Sequence, residues 1–147
     1  EPFVNGMAKF LAVAEREGLT NIRVWDDDAA LMLPRFPAGS LDAIDLLYPD
    51  PWPKRRQRKR RFVSEHTLGL FARALRPGGR FRFASDIDDY IGWTLSRLMA
   101  SPDFDWTDER PGDWRTPYPG WTRTRYEAKA VREGRISSYL TALRRAS

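Results

Sequence analysis

One short stretch, Tyr48-Pro49-Asp50-Pro51-Trp52-Pro53-Lys54, combines residue types that could bind and react with a ligand. Three prolines in five positions stiffen the backbone and withhold amide donors. A carboxylate (Asp50) and an indole (Trp52) are thereby presented on a rigid strip. Such a strip suits an enzyme that must hold a planar base and place it against a cofactor. The simpler reading is a proline-rich exit that only ends a strand. Next to it, Lys54 to Arg61 place seven basic residues in eight positions, an electrostatic footprint for phosphates. Elsewhere in a chain, such a run is often just a solvated charged face.

The elements that must position these residues follow from periodicity. Val4 to Glu17 carries Met7, Phe10, Leu11, Val13 and Ala14 at helical spacing, and Gly18 closes it. Asn21 to Trp25 reads as a short strand, Ala29 to Phe36 as a helix, and Leu41 to Tyr48 as a buried strand running into the prolines. A helix is expected from Ser64 to Leu75, stopped by Arg76-Pro77-Gly78-Gly79. A strand from Arg80 to Ser85 and a helix from Asp88 to Ala100 follow. This alternation predicts an α/β domain with a mostly parallel sheet, whose sites form at the carboxyl ends of the strands. Asp26 to Asp28, Asp50 and Asp86 all fall at such ends. Residues 102–121 read as a long loop. Thr124 to Glu133 and Arg135 to Leu143 read as an antiparallel hairpin about Gly134, because Ile136, Ser138, Leu140 and Ala142 alternate; a helix over 135–145 competes.

Composition narrows the function classes. The chain has 147 residues and no Cys, which excludes disulfide scaffolds, Cys-ligated zinc and thiolate nucleophiles. With one His (His66, given no catalytic role), a multi-His metal site is excluded, and no metal is expected. The net charge of +5 is local: outside Lys54 to Arg61 the chain is slightly acidic. No apolar run is long enough to span a membrane and no leader is visible, so a cytoplasmic location, as monomer or homodimer, is the expectation.

Pro49-Asp50-Pro51-Trp52-Pro53-Lys54 together with Lys59-Arg60-Arg61 strongly resembles the signature of the tRNA (guanine-N7-)-methyltransferases. The resemblance continues through Glu1-Pro2-Phe3, Asn5-Gly6, Asp28-Ala29, Arg76-Pro77-Gly78-Gly79, Ala84-Ser85-Asp86 and Thr124-Arg125-Tyr126-Glu127, in order and over nearly the whole chain. It implies the Rossmann-like class I methyltransferase fold, a single domain over 1–147, and S-adenosylmethionine as cofactor. It also implies methyl transfer to N7 of guanosine 46 in the tRNA variable loop. Guanine N7 carries a lone pair and no proton, so its attack on a sulfonium methyl needs no general base. A carboxylate nearby can stabilise the charge that develops on the purine. Asp50 is the residue placed there, as catalytic and cofactor-contacting group.

The resemblance also places Glu1 on the cofactor ribose and Asp28 near its adenine, with Asp26 and Asp27 as rivals and a helix cap as the plainer role of the triple Asp. Lys54, Asp86, Thr124, Arg125, Tyr126 and Glu127 match substrate-binding positions; for Asp86 a helix cap competes. Arg55, Arg56, Arg58, Lys59, Arg60 and Arg61 are expected on the RNA backbone. Trp114, Tyr118 and Trp121 would either stack on an unpaired base or pack over the sheet. In one respect the chain departs from the family pattern. No strand with a Gly-rich turn precedes Glu1, so the first β-α unit is expected to be missing, and residues 1–147 alone are expected to bind cofactor poorly and be inactive. Two other classes compete: a non-catalytic RNA-binding module, and a metal nuclease reading Pro49-Asp50 with Glu127-Ala128-Lys129 as a PD…ExK pattern. The amino-group methylases, with Asp-Pro-Pro-Tyr, are a looser match.

Overall fold

The computed structural model describes residues 3–146, which divide into two compact units between Pro37 and Ala38.

In the N-terminal unit, α1 (Val4–Arg16) ends as the sequence predicts: Gly18 takes φ +66, and Leu19 N–H donates to the Ala14 carbonyl. The expected strand over 21–25 does not form. Arg23 binds the carbonyls of Thr20 and Ile22, and the Trp25 indole N–H donates to the Asp28 carbonyl. These are local closures of a loop, and no sheet neighbour is offered to this stretch. α2 (Ala29–Met32) is a single turn that continues as a 3-10 turn over Leu33–Arg35.

The second unit is built on four strands in the order β1 (Leu41–Leu47), β2 (Leu75–Ser85), β4 (Ser138–Arg144), β3 (Phe104–Trp106). β1 and β2 are parallel; β4 runs antiparallel to β2, and β3 antiparallel to β4. α3 (Glu65–Ala74) connects the parallel pair and begins at a capping box in which Ser64 and Thr67 satisfy each other's backbone N–H. α4 (Asp88–Ala100) joins β2 to β3. Both helices cover one sheet face, where Phe71 packs on Phe81 and Tyr90 on Phe83.

Strand alternation sends Arg82 to the opposite face. There it pairs with Asp45 through two hydrogen bonds and lies under the Tyr118 ring at 4.1 Å. The long loop thus covers this face. Tyr118 meets Trp121 edge-on and Trp121 meets Tyr139 likewise, whereas Trp114 packs on Trp106, which the register puts on the Phe81 face. Packing over the sheet is therefore the role these aromatics take.

A second expectation is overturned. Residues 124–133 are not the first arm of a hairpin: α5 (Arg125–Arg132) occupies them, and Gly134 with φ +73 ends it. Thr124 caps α5, its hydroxyl accepting from Glu127 N–H at 3.0 Å. The alternation that suggested a hairpin is real in β4 alone, whose antiparallel partners are β2 and β3.

Candidate active site

Parallel pairing brings the carboxyl ends of β1 and β2 to one edge, and the antiparallel β4 begins there. Tyr48 N–H extends the pairing by donating to Ala84 at 2.8 Å. Beyond it the chain turns sharply. Tyr48 and Trp52 have φ of +50° and +42°, a region that bulky residues rarely enter, and each precedes a proline that restricts it further. Two strained residues bracket Asp50, a pattern that recurs at functional sites. The Asp50 side chain is exposed and accepts no hydrogen bond from the described residues. Asp103 and Glu109 share that isolation, whereas Asp42, Asp45, Asp86, Asp89, Asp105 and Glu127 all have partners.

Tyr48 joins the heptapeptide to the motifs predicted far along the chain. Its hydroxyl is 2.8 Å from Ser137 Oγ, and its ring stacks on Tyr126 at 6.2 Å. Burial, opposed by the Ser137 hydrogen bond, pushes its phenol above the ordinary range, and the carboxylates of Glu127 and Asp86 push the same way. Asp86 does not cap α4. It accepts from Arg135 Nε at 2.6 Å, while Ser85 Oγ takes the Ile87 N–H. The structure thus brings Asp86, Tyr126, Glu127 and the Tyr48 end of the proline strip to one edge.

Within 124–127 the four residues divide. Glu127 is buried and accepts from the Tyr139 hydroxyl and, at 2.7 Å, from the Trp121 indole. Burial first, then this carboxylate, holds the Tyr139 phenol well above its usual range. Arg125 and Tyr126 face outward, the guanidinium 5.5 Å from the ring. A cavity of about 360 Å³ beside them is lined by Arg115, Glu127, Arg135, Ser137 and Tyr139.

The basic run opens at Lys54 and winds into a 3-10 helix over Arg55–Arg60. Lys54, Arg55, Arg56 and Lys59 are exposed, with no carboxylate partner among the described residues. Arg58 pairs with Asp89 at 3.3 Å, and Arg60 lies 5.0 Å from the Trp52 ring centre. Arg61 corrects the sequence reading: its side chain is fully buried, bonded to the Pro51 carbonyl and to Asp89, so it presents nothing to a phosphate.

In the N-terminal unit, Asp28 serves as a cap, accepting from Ala30 N–H at 2.9 Å, and Asp27 accepts from Asp28 N–H. Glu1 lies outside the described residues. The PD…ExK reading fails on geometry. Glu127 is committed to Trp121 and Tyr139, and Lys129 leans on Glu133 at 4.0 Å.

Sequence reasoning named Tyr48 and Trp121 without their partners, and missed Asp89, Arg135, Ser137 and Tyr139 as parts of this edge. The missed residues arrive through strand order, which local pattern does not encode.

Comparison with known proteins agrees with this architecture. The chain is similar to tRNA (guanine-N(7)-)-methyltransferases of Rhizobium meliloti (61% identical over 146 residues, 99% of this chain and 62% of the relative) and Rhodopseudomonas palustris (57% over 147 residues, 100% and 57%). It therefore spans about three-fifths of the length of these relatives. Among solved structures, an S-adenosylmethionine-dependent O-methyltransferase from Thermotoga maritima superposes with a TM-score of 0.52 at 20% identity, over 92% of this chain and 44% of the other. A DNA modification methylase from Thermus thermophilus superposes at 0.51 and 17%, over 82% and 52%. These two likenesses are to the fold, the α/β architecture of methyltransferases. The family model described as "Putative methyltransferase" matches residues 1–139, and the chain belongs to that family.

Proposed function

We propose that the protein carrying this sequence transfers the methyl group of S-adenosylmethionine to N7 of a guanosine in tRNA, at position 46 of the variable loop. The observation that carries the reading is Asp50, an unpartnered carboxylate held just beyond the carboxyl end of β1, next to cations without acidic partners. The printed names of the relatives supply the substrate class.

The residues suit a sulfonium cofactor. A cationic, methyl-bearing group is met by a carboxylate free of competing hydrogen bonds, at the strand end where this fold places ligands. When bound, the cofactor supplies an electrophilic methyl group. Asp50 orients guanine by accepting its N–H groups and stabilises the positive charge that builds on the purine. Nothing needs to remove a proton from N7, so the Asp50 carboxylate acts on developing charge and not as a base. Lys54, Asp86, Arg125 and Tyr126 contact the nucleotide, with Thr124 and Glu127 fixing the helix that presents the last two. Arg55, Arg56, Arg58, Lys59 and Arg60 grip the RNA backbone. Asp28, and Glu1 by resemblance, serve the cofactor's adenosine end. Both units belong to one methyltransferase domain, which works in the cytoplasm.

The test is transfer of labelled methyl to unmodified tRNA by the protein at full gene length, mapped by borohydride–aniline cleavage. Label at 7-methylguanosine is expected. Asp50→Asn should lower kcat about 10²–10³-fold. Replacing Arg55, Arg56 and Lys59 by Ala should weaken tRNA binding and reduce its salt slope by roughly one per lost phosphate contact. Label on another atom, or none, overturns the reading.

A further inference from the structure

Arg61 sits in the sequence as one more cation of the basic run, yet its surroundings set it apart. The side chain has 0% exposure. Nε–H donates to the Pro51 carbonyl at 2.7 Å, and one terminal nitrogen donates to Asp89 Oδ2 at 2.5 Å. The guanidinium carbon lies 4.9 Å from the Tyr90 ring centre and 5.0 Å from that of Trp93. Those two side chains also hold the next stretch of chain: Val63 N–H donates to the Tyr90 hydroxyl, and the Trp93 indole donates to the Val63 carbonyl at 2.8 Å. The remaining terminal nitrogen is buried with no partner among the described residues.

This arrangement acts on the peptide next to Asp50. Pro51 has its φ locked by its ring, so pinning its carbonyl orients the whole residue. Asp50 is joined to that residue through a planar peptide bond and has little freedom to swing. The other end of the clamp is Asp89, in the first turn of α4, where a carboxylate is favoured by the helix dipole. Arg61 thus ties the loop after β1 to the helix after β2. The Arg61 guanidinium pulls the Asp89 carboxyl below its usual range. Burial raises the Tyr90 phenol.

We infer that Arg61 is a positioning residue for Asp50: through the Pro51 carbonyl and Asp89 it fixes the backbone that carries the reactive-site carboxylate, and it makes no RNA contact. This rests on the methyl-transfer reading above. Small displacements of a reacting group are costly, so loosening the clamp should lower turnover without touching RNA affinity.

The test is a double-mutant cycle in the protein at full gene length, with kcat, tRNA KM and the salt dependence of tRNA binding measured for each member. Arg61→Lys keeps the charge but cannot serve Pro51 and Asp89 together; it should lower kcat about 10–100-fold with tRNA affinity and salt slope unchanged. In an Asp50→Asn background the same substitution should cost nothing further, because its effect runs through Asp50. Asp89→Asn, at a half-exposed carboxylate, runs the same cycle should Arg61→Lys not fold. Losses that multiply, or a smaller salt slope at unchanged kcat, overturn the inference. A parent enzyme that makes no 7-methylguanosine instead sinks the reading on which it rests.

Discussion

Replacing Tyr139 by Phe removes one hydroxyl from the most enclosed polar network at the site edge. Tyr139 and Glu127 are each 6% exposed, and the hydroxyl donates to a carboxylate whose other oxygen is held by Trp121. The ring would stay, with its edge-on contact to Trp121 at 5.2 Å. What is lost is a hydrogen bond to a charged acceptor that is largely buried, at a cost of about 1.5–3 kcal/mol. For a unit of this size that corresponds to a fall in Tm of roughly 5–12 °C at pH 7. The pH dependence has a definite sign. The folded state holds the Tyr139 proton more tightly than the unfolded chain, so the contribution is complete below the ordinary phenol pKa, about 10, and declines as pH rises above it. The gap in Tm between parent and variant should therefore be widest near neutrality and shrink above about pH 10. Differential scanning calorimetry at pH 7, 9 and 10.5 reads both. A fall under about 2 °C at neutral pH would mean Glu127 is satisfied without Tyr139, and the network would have to be redrawn.

Two further substitutions test the packing that carries this edge. A Cβ on Gly79 would lie 2.8 Å from the Arg76 carbonyl oxygen and 3.3 Å from that of Asp42, where the β1–β2 register shifts; Gly79→Ala should cost about 1–3 kcal/mol, read as a lower urea midpoint at unchanged m. Thr94 is fully buried in α4 and its hydroxyl has no partner among the described residues, so Thr94→Val should hold or raise the Tm, by up to about 1 kcal/mol of stability.

The fold's central elements were legible because their signals are local. β1, α3, the Phe81–Ser85 half of β2 and α4 coincide with the stretches that apolar periodicity marks out. The failures have physical causes too. Asn21 to Trp25 has strand-forming residues, but strand propensity is realised only against a neighbour, and here local hydrogen bonds to Arg23 and Trp25 close a loop. At 124–133 the signal was present and outweighed: Thr124 with Glu127 three residues on is a helix start, followed by good helix formers. Only half of that capping box closes. Thr124 receives the Glu127 N–H, while the Glu127 carboxylate reaches Trp121 and Tyr139 instead of turning back. A residue that reads as a local cap is thus a tertiary link, which explains why a motif with two outward-facing side chains, Arg125 and Tyr126, also carries a buried acid.

The basic run shows most sharply what residue type alone conceals. Seven cations look equivalent in the sequence, and the phosphate reading treats them alike. Folding separates them by what they face. Lys54, Arg55, Arg56 and Lys59 point into solvent; Arg58 is half neutralised by Asp89, Arg60 is paired with Trp52, and Arg61 is interior. The same sorting applies to the acids, with opposite consequence. Most carboxylates of the second unit are spent on arginines or indoles, whereas Asp50, held between two prolines, accepts nothing from the described residues. A group held firmly and left unsatisfied costs the free protein conformational freedom without returning a bond, a cost that only a ligand offsets. The proline strip and the Arg61 clamp are intelligible together on that basis: both restrain Asp50, and neither takes its carboxylate.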